Sequence, residues 1–236
     1  MQLENHLLVM LLEKTVPRGL RIMLEPTMQK LATMYEKHPQ RGSDGLLHEL
    51  DSMTKISIEQ GHLLAGLHAA IKPKLSVEIG LAYGFSTLFI LDAAFQTNAA
   101  CHHIAIDPYQ DAMWHGIGRQ AVKEVNLDSK FEFVQETSVT ALTEMHKQGT
   151  KADYIYIDGA HTFDYALVDF FCSDRILNIG GLVIFDDMWM PSIQKIASFI
   201  RANIGSYQEI PTDVKNVFCL KKIKEDERAW NHFASF

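Results

Sequence analysis

From residue 75 onward, short apolar segments alternate with stretches that carry the hydrophobic period of a helix. The predicted strands cover residues 75–79, 102–106, 131–135, 154–157 and 182–185. The predicted helices cover residues 86–95, 116–126, 139–147, 163–177 and 192–204. The later strands are nearly continuous apolar runs, YIYI and LVIF, which is typical of parallel strands buried on both faces. The alternation predicts right-handed β–α–β units and a doubly wound α/β sheet.

Both ends of the chain depart from this alternation. Residues 1–72 have a helical pattern, with predicted helices over 2–14, over 26–36 and from a capping box at Ser57 and Gln60 to about residue 71, and with a loop over 39–44. After the last helix, two β-like segments, 207–210 and 217–222, predict an antiparallel pair at the end of the sheet. We therefore expect a helical N-terminal extension over residues 1–55 and a main domain over residues 56–236.

Composition excludes several classes of protein. The chain has 236 residues, of which 47% are hydrophobic, enough to bury a core without disulfides. The formal charge of −7 argues against non-specific binding of nucleic acid. The longest early apolar run, residues 7–12, is too short for a secretory signal or a membrane span. The three cysteines form no C-x-x-C pair and are too few for a disulfide framework, which fits a reducing compartment. From these features together we expect a cytoplasmic protein with no membrane and no nucleic-acid partner.

A glycine-containing turn, VEIGLAYGFST, follows the first strand of the alternating region. Gly80 and Gly84 permit a tight turn and the close approach of a ligand, and ligands of open α/β sheets bind at the carboxyl ends of the strands. A dinucleotide site requires the pattern G-x-G-x-x-G, and its second and third glycines are missing here. The pattern E-x-G-x-x-x-G, beginning at Glu78, indicates instead a cofactor with cationic groups and no phosphate. An ordinary strand-to-helix turn is the alternative.

Two further loops at the same edge predict contacts with a nucleoside. The second strand ends at Asp107, whose carboxylate can accept hydrogen bonds from two ribose hydroxyls or can cap a turn. After the third strand, Glu136 and Thr137 lie where an adenine edge would reach, and Ser138 is a candidate N-cap of the next helix. Nicotinamide and sulfonium nucleosides both suit this arrangement, so these residues do not distinguish the two cofactors.

Acidic residues follow the fourth and fifth strands. Asp158 and His161 lie in YIDGAHTF, and Asp186 and Asp187 end VIFDD. Neighbouring strands are about 5 Å apart, so we expect these side chains to meet at one edge of the sheet. Buried carboxylates need a cation or hydrogen-bond donors, and an imidazole beside a carboxylate can take a proton from a substrate hydroxyl. Helix capping is the alternative for both pairs.

The remaining histidines show no metal-ligand spacing. His102 and His103 are consecutive in a strand and therefore face opposite sides of the sheet. His115 follows Trp114 in the loop after the second strand, where the two residues line a substrate pocket or simply pack the loop.

Four segments together resemble the class I S-adenosylmethionine-dependent methyltransferases, in particular a subgroup acting on small molecules. They are VEIGLAYGFST, IDPYQ, YIDGAHTFDY and GGLVIFDD. The resemblance implies a Rossmann-like seven-stranded sheet whose last strand is antiparallel. It implies S-adenosyl-L-methionine as the cofactor, held at the glycine turn and the loops beside it. The implied contacts are Glu78, Gly80, Ala82, Tyr83, Gly84, Ser86, Asp107, Pro108, Glu136, Thr137 and Asp158.

The resemblance also implies methyl transfer to an oxygen of a small-molecule acceptor, with His161, Asp158 and Asp187 on the acceptor side. The catechol-type branch of this fold holds a divalent metal with an Asp and an Asp-Asn pair, so Mg²⁺ bound by Asp158, Asp186 and Asp187 is a further expectation. N-methylation, a nicotinamide-linked oxidoreductase and a non-catalytic nucleoside-binding protein are the alternatives. N-terminal extensions in this fold serve as a lid or a dimer contact, so a homodimer is a further expectation.

Overall fold

The computed structural model describes residues 23–98 and 100–236 of the chain. The helix predicted over residues 2–14 lies outside this part. The helices are α1 (Glu25–Tyr35), α2 (Ile58–Ile71), α3 (Phe85–Thr97), α4 (Ile117–Glu124), α5 (Ser138–Lys147), α6 (Phe163–Ile176) and α7 (Pro191–Asn203). The strands are β1 (Gln40–Arg41), β2 (Leu47–His48), β3 (Leu75–Ile79), β4 (His102–Ile106), β5 (Phe131–Val134), β6 (Ala152–Ile157), β7 (Leu177–Phe185), β8 (Tyr207–Ile210) and β9 (Phe218–Lys222).

The main sheet of the described residues has the strand order β5–β4–β3–β6–β7–β9–β8. Strands β3 to β7 pair in parallel, whereas β9 is antiparallel to both β7 and β8. This confirms the predicted doubly wound α/β sheet with an antiparallel end. The direction of winding reverses at β3, which pairs with β4 on one side and with β6 on the other. In such sheets the crevice for a ligand opens at the carboxyl ends of the strands at this point.

Strand β7 begins earlier than its apolar pattern predicts. The predicted strand covers residues 182–185, whereas the observed strand begins at Leu177. The first half of β7 contains Asn178, Gly180 and Gly181, which interrupt an apolar run without preventing strand pairing. An apolar run indicates burial, so the sequence pattern predicted only the second half of β7, which is the fully buried half.

Alternate residues of the central strands supply two hydrophobic layers. Tyr154 and Tyr156 of β6 lie on one face with Leu64 and Leu88, whereas Ile155 and Ile157 lie on the other face with residues of α5, α6 and α7. The buried Tyr154 hydroxyl donates to the carbonyl oxygen of Leu64 over 3.2 Å. Both faces of the sheet are therefore covered, as the continuous apolar strands predict.

The segment before α2 contains a hairpin that was not predicted. Residues 39–44 were predicted to form a loop, but β1 pairs with β2, and the Gly42 N–H donates to the Leu46 carbonyl over 2.8 Å. Two-residue strands are too short to show an alternating pattern in a sequence. The capping box at the start of α2 is confirmed, because Ser57 Oγ accepts from Gln60 N and Gln60 Oε1 accepts from Ser57 N.

Helix α1 packs against α3 and joins the main hydrophobic core. Its buried Met28, Leu31 and Met34 belong to the same cluster as Leu88 of α3. The N–H of Leu24, just before α1, donates to Asp92 Oδ1 of α3 over 2.9 Å. Within the described residues, no helix combines the length and the apolar character needed to cross a membrane.

Candidate active site

The glycine turn brings three strand ends into close backbone contact. Gly80 has a φ of +93°, and its N–H donates to the carbonyl oxygen of Ile106 at the end of β4 over 2.9 Å. A Cβ atom at position 80 would lie 2.0 Å from the carbonyl oxygen of Asp158 at the end of β6. The sequence predicts that a ligand approaches Gly80 closely. In the structure, the protein backbone of Asp158 occupies the space where a Cβ atom of residue 80 would lie. Gly84 caps α3 with a φ of +86° and lies against Gly118 of α4.

Asp107 holds this turn in place. Its Oδ2 accepts hydrogen bonds from the N–H groups of Leu81 and Ala82, over 3.3 and 2.9 Å, and from Gln110 Nε2. Its Oδ1 accepts from the N–H of Tyr109 over 2.8 Å. The side chain is buried, so the predicted turn-capping role is present in the structure. Contact with a ribose stays a prediction.

Glu78 lies beneath the turn, and its carboxylate is bound by other side chains. Oε1 accepts from Ser86 Oγ, and Oε2 accepts from Thr87 Oγ1 over 2.5 Å. His103 Nε2 lies 3.1 Å from Oε2, and both residues are fully buried. The predicted cofactor contacts Glu78 and Ser86 therefore contact each other at the start of α3, and this network orients the first turn of that helix.

The other predicted cofactor residues surround the turn. Tyr83 is buried, and its ring packs edge-on against Trp114 at 5.1 Å. Pro108 is half-buried, whereas Glu136 and Thr137 are exposed at the loop after β5. The predicted N-cap is wrong by one residue, because Thr137 caps α5 whereas Ser138 Oγ donates to Asp169 over 2.5 Å.

Asp158, His161 and Asp187 meet at the carboxyl ends of β6 and β7. His161 Nε2 lies 3.2 Å from Asp187 Oδ2 and 3.9 Å from Asp158 Oδ1. Their side chains are 32%, 20% and 23% exposed for His161, Asp187 and Asp158, so a ligand can reach the group. Burial, together with the charges of Asp186, Asp187 and Glu78, raises the pKa of Asp158. The three residues predicted for catalysis are thus adjacent.

Asp186 has a different environment from Asp187. Its side chain is buried, and Oδ1 accepts from Gln60 Nε2 over 2.6 Å and from Asn216 Nδ2 over 2.9 Å. Its Oδ2 accepts from the Tyr156 hydroxyl over 2.6 Å. Burial raises the pKa of Asp186, and the hydrogen bonds from Tyr156 and the Asp187 N–H oppose that rise.

This environment bears on the predicted magnesium site. Asp186, one of its three predicted ligands, is committed to protein donors. The ligand atoms that lie within 4.8 Å of one another belong to Asp158, His161 and Asp187. Mg²⁺ prefers an octahedral shell of oxygen ligands, and an imidazole suits other metals better. The residues at this edge therefore do not form the predicted magnesium site.

Three residues around Asp186 were not predicted from the sequence. Gln60 was assigned only to the capping box, Tyr156 only to a buried strand and Asn216 only to the turn after β8. Asn216 reaches the site because β9 pairs with β7 in the register Phe185↔Phe218. Had β9 been placed beside β7 from the sequence, the end of that turn would have been expected at this edge. Asp186 and Asp187 do not cap α7, whose N-cap is Met190.

Residues 77–188, which contain the glycine turn, Asp107 and the Asp158–His161–Asp187 group, match a family model described as a methyltransferase domain. Over this region the chain is similar to a methyltransferase domain. The matched region begins within β3 and ends just after β7, so it includes the carboxyl ends of the parallel strands β3 to β7.

Curated relatives and solved structures of this methyltransferase domain agree with the match. The flavonoid 3',5'-methyltransferase of Vitis vinifera is 22% identical over 63% of this chain and 62% of its own length. The caffeoyl-CoA O-methyltransferase of Stellaria longipes is 22% identical over 70% of this chain and 64% of its own length. The chain thus spans less than two thirds of the length of these relatives.

Two solved structures share the fold. An O-methyltransferase from Bacillus cereus in complex with SAH has a TM-score of 0.61 and 17% identity, over 73% of this chain and 84% of that one. The O-methyltransferase TomG from Streptomyces achromogenes, in complex with SAM, has a TM-score of 0.63 and 16% identity, over 95% of this chain and 98% of that one.

Proposed function

We propose that this chain is an S-adenosylmethionine-dependent methyltransferase that methylates an oxygen of a small-molecule acceptor. The observation that carries the proposal is the position of the His161–Asp187 pair at the same sheet edge as the glycine turn held by Asp107. The match to the methyltransferase domain and the resemblance to O-methyltransferases, two of them in complex with SAM or SAH, support it.

The residues at this edge fit such a cofactor by their charge. Asp158, Asp187 and Glu136 are acidic, and none of the residues that we assign to cofactor or acceptor is a lysine or an arginine. A sulfonium and an amino group are cationic and are attracted to these acidic residues, whereas an anionic pyrophosphate would be repelled by them. When bound, S-adenosylmethionine supplies an electrophilic methyl group. We assign Gly80 to Gly84, Asp107, Pro108, Glu136 and Thr137 to the cofactor side, with Glu78 and Ser86 supporting the turn.

His161 acts as the general base in this proposal. Its Nε2 lies beside Asp187 Oδ2, so a proton on Nε2 donates to that carboxylate and leaves Nδ1 to accept the proton of the acceptor hydroxyl. Asp187 and Asp158 stabilise the imidazolium that forms. Deprotonation of this kind contributes about 10²–10⁴-fold in rate, and holding the acceptor in line with the methyl group contributes further. The proposed proton transfer and methyl transfer use no metal ion.

The test is a methyl-transfer assay on the full chain with matched acceptors. Each phenol or alcohol is paired with the corresponding amine, and formation of S-adenosylhomocysteine is followed by mass spectrometry. We expect turnover with hydroxyl acceptors. Turnover with the amines alone would instead support N-methylation, and failure of both sets despite cofactor binding would support a non-catalytic nucleoside-binding protein.

We propose that the N-terminal extension supports the site through α1. This helix is fixed to α3, the helix that Gly84 caps, through the Leu24–Asp92 hydrogen bond and a shared core. In this way the described residues of the extension, 23–55, stabilise the cofactor turn. The roles of the extension as a lid and as the contact of a homodimer stay predictions, and light scattering of the full chain with and without S-adenosylhomocysteine tests the second.

A further inference from the structure

A second group of ligand-type side chains lies outside the residues assigned to methyl transfer. Asp44 and His48 belong to the β1–β2 hairpin, and His115 belongs to the loop between β4 and α4. His48 Nε2 lies 2.9 Å from Asp44 Oδ2, and the imidazole rings of His48 and His115 stack at 3.9 Å between centroids. The ligand atoms of all three residues lie within 4.8 Å of one another.

The backbone fixes the positions of these three residues. The Ser43 N–H donates to the carbonyl oxygen of His115 over 2.8 Å, and Ser43 Oγ donates to the carbonyl oxygen of Gly116 over 3.2 Å. A Cβ atom at Gly42 would lie 2.6 Å from the carbonyl oxygen of His115. The hairpin and the loop are therefore in direct backbone contact, which holds the main chain of the three residues close together.

The donor atoms of the group suit a cation. Asp44 contributes a carboxylate, and His48 and His115 contribute imidazole nitrogens, which are donor types that bind Zn²⁺. Asp44 and His115 are exposed, and an ion from solvent can reach them.

We propose that Asp44, His48 and His115 form a binding site for a divalent first-row transition ion of the Zn²⁺ type. Two imidazole nitrogens and a carboxylate oxygen are a donor set that Zn²⁺ uses, with water as the fourth ligand, whereas Mg²⁺ and Ca²⁺ prefer oxygen alone. Ligand atoms in a tetrahedral zinc site are about 3.4 Å apart. Binding requires the exposed His115 ring to rotate off the stack by a small amount.

Such an ion would link the hairpin to the loop that precedes α4. Gly118, in the first turn of α4, lies against the cofactor turn, since a Cβ atom there would be 2.7 Å from the carbonyl oxygen of Ala82. The site is therefore a structural link between the N-terminal segment and the support of the cofactor turn. It is independent of the acceptor chemistry proposed for His161.

The experiment is calorimetric titration of Zn²⁺ into full-length protein without a histidine tag. All proteins carry His161→Asn, which removes the imidazole from the only other three-residue group of this kind among the described residues. We expect one bound Zn²⁺ with micromolar or tighter affinity and a higher Tm in its presence. Adding His115→Asn should weaken binding at least about tenfold and abolish the shift in Tm, whereas His146→Asn, at an exposed position in α5, should change neither.

Asp44→Asn provides a second test with little risk to folding, because the residue is exposed and the amide oxygen can still accept from the Leu46 N–H. It should also weaken Zn²⁺ binding at least about tenfold. Unchanged affinity in both variants, or a loss of the same size in His146→Asn, would overturn the proposal. Absence of Zn²⁺ binding by the parent protein would overturn it as well.

Discussion

The hydroxyl of Tyr156 donates to Oδ2 of Asp186 over 2.6 Å, from one buried strand to the end of its neighbour. This bond, with those from Gln60 and Asn216, holds Asp186 inside the protein. The next residue, Asp187, has a φ of +57° and directs its carboxylate toward His161. Two adjacent aspartates therefore have separate roles, one in holding the strand ends together and one in the proposed chemistry.

Because the two aspartates have separate roles, we expect their replacement to affect different properties, stability for Asp186 and turnover for Asp187. Asp186→Ala leaves the donors of Gln60, Tyr156 and Asn216 without their acceptor, and each donor left buried costs about 1–3 kcal/mol. We expect a clear loss of stability in chemical denaturation. Asp187→Asn should leave the free energy of unfolding nearly unchanged and lower kcat. Equal destabilisation by both variants would contradict this assignment.

His161→Ala should lower kcat by about 10²–10⁴-fold, because it removes the proposed general base. The affinity for S-adenosylhomocysteine should be unchanged, since His161 lies on the acceptor side. His146→Ala is the matched control, with an exposed histidine in α5. Incubation with a chelator should leave turnover within about twofold. Activity lost to the chelator and restored by Mg²⁺ would show that a metal, and not His161, activates the acceptor.

Gly80 and Gly180 provide a matched test of the contact at the cofactor turn. Both have a φ near +90°, at +93° and +91°, so alanine is strained at either position. Only at Gly80 would the new Cβ meet backbone, at 2.0 Å from the carbonyl oxygen of Asp158, whereas at Gly180 no atom lies within 4 Å. Gly180→Ala should cost about 1–2 kcal/mol.

Gly80→Ala should be several kcal/mol more destabilising than this control, or should prevent folding, as measured by thermal denaturation and soluble yield. Comparable stabilities of the two variants would show that β3 and β6 separate easily at this point.

The buried carboxyl of Asp92 is expected to make the free energy of unfolding depend on pH. Burial between α1 and α3 raises the pKa of Asp92 from 3.8 to about 6, so the native state favours the protonated carboxyl. Its contribution to the free energy of unfolding therefore decreases as the pH rises from about 4 to about 6, and is unfavourable by up to about 3 kcal/mol above that range.

Asp92→Asn removes this charge and keeps an acceptor for the Leu24 N–H. The side-chain oxygen of Gln96, which has no partner in the structure, can accept from the new amide after a flip. We expect the variant to be more stable than the parent at pH 8 and equal to it or less stable at pH 4, in urea denaturation at both values. A difference in stability that does not change with pH would contradict the burial of an ionisable group here.

The strands of the sheet could be predicted because buried parallel strands leave a local record in the sequence. The bounds of β3 and β4 agree with the prediction residue for residue, and the capping box of α2 was visible from Ser57 and Gln60. The proximity of Asp158, His161 and Asp187 could also be predicted, since all three lie within four residues of the carboxyl end of β6 or β7.

The side-chain partners could not be predicted in the same way. Glu78 was expected to face a cofactor, but His103 of the neighbouring strand β4 binds its carboxylate. Asp186 was expected to bind a metal, but Tyr156 and Asn216 bind it instead. Such contacts depend on which strands become neighbours and in which register, and no local period in the sequence carries that information.

We propose that the glycine turn and Asp107 form a site for S-adenosylmethionine. The most direct measurement is calorimetric titration of the full chain with S-adenosylhomocysteine and, separately, with NAD. We predict saturable binding of one S-adenosylhomocysteine per chain, no binding of NAD, and an affinity for S-adenosylhomocysteine at least about tenfold weaker in Asp107→Ala, from the loss of charge-assisted hydrogen bonds. Tight binding of NAD with no response to S-adenosylhomocysteine would show that the turn holds a different cofactor.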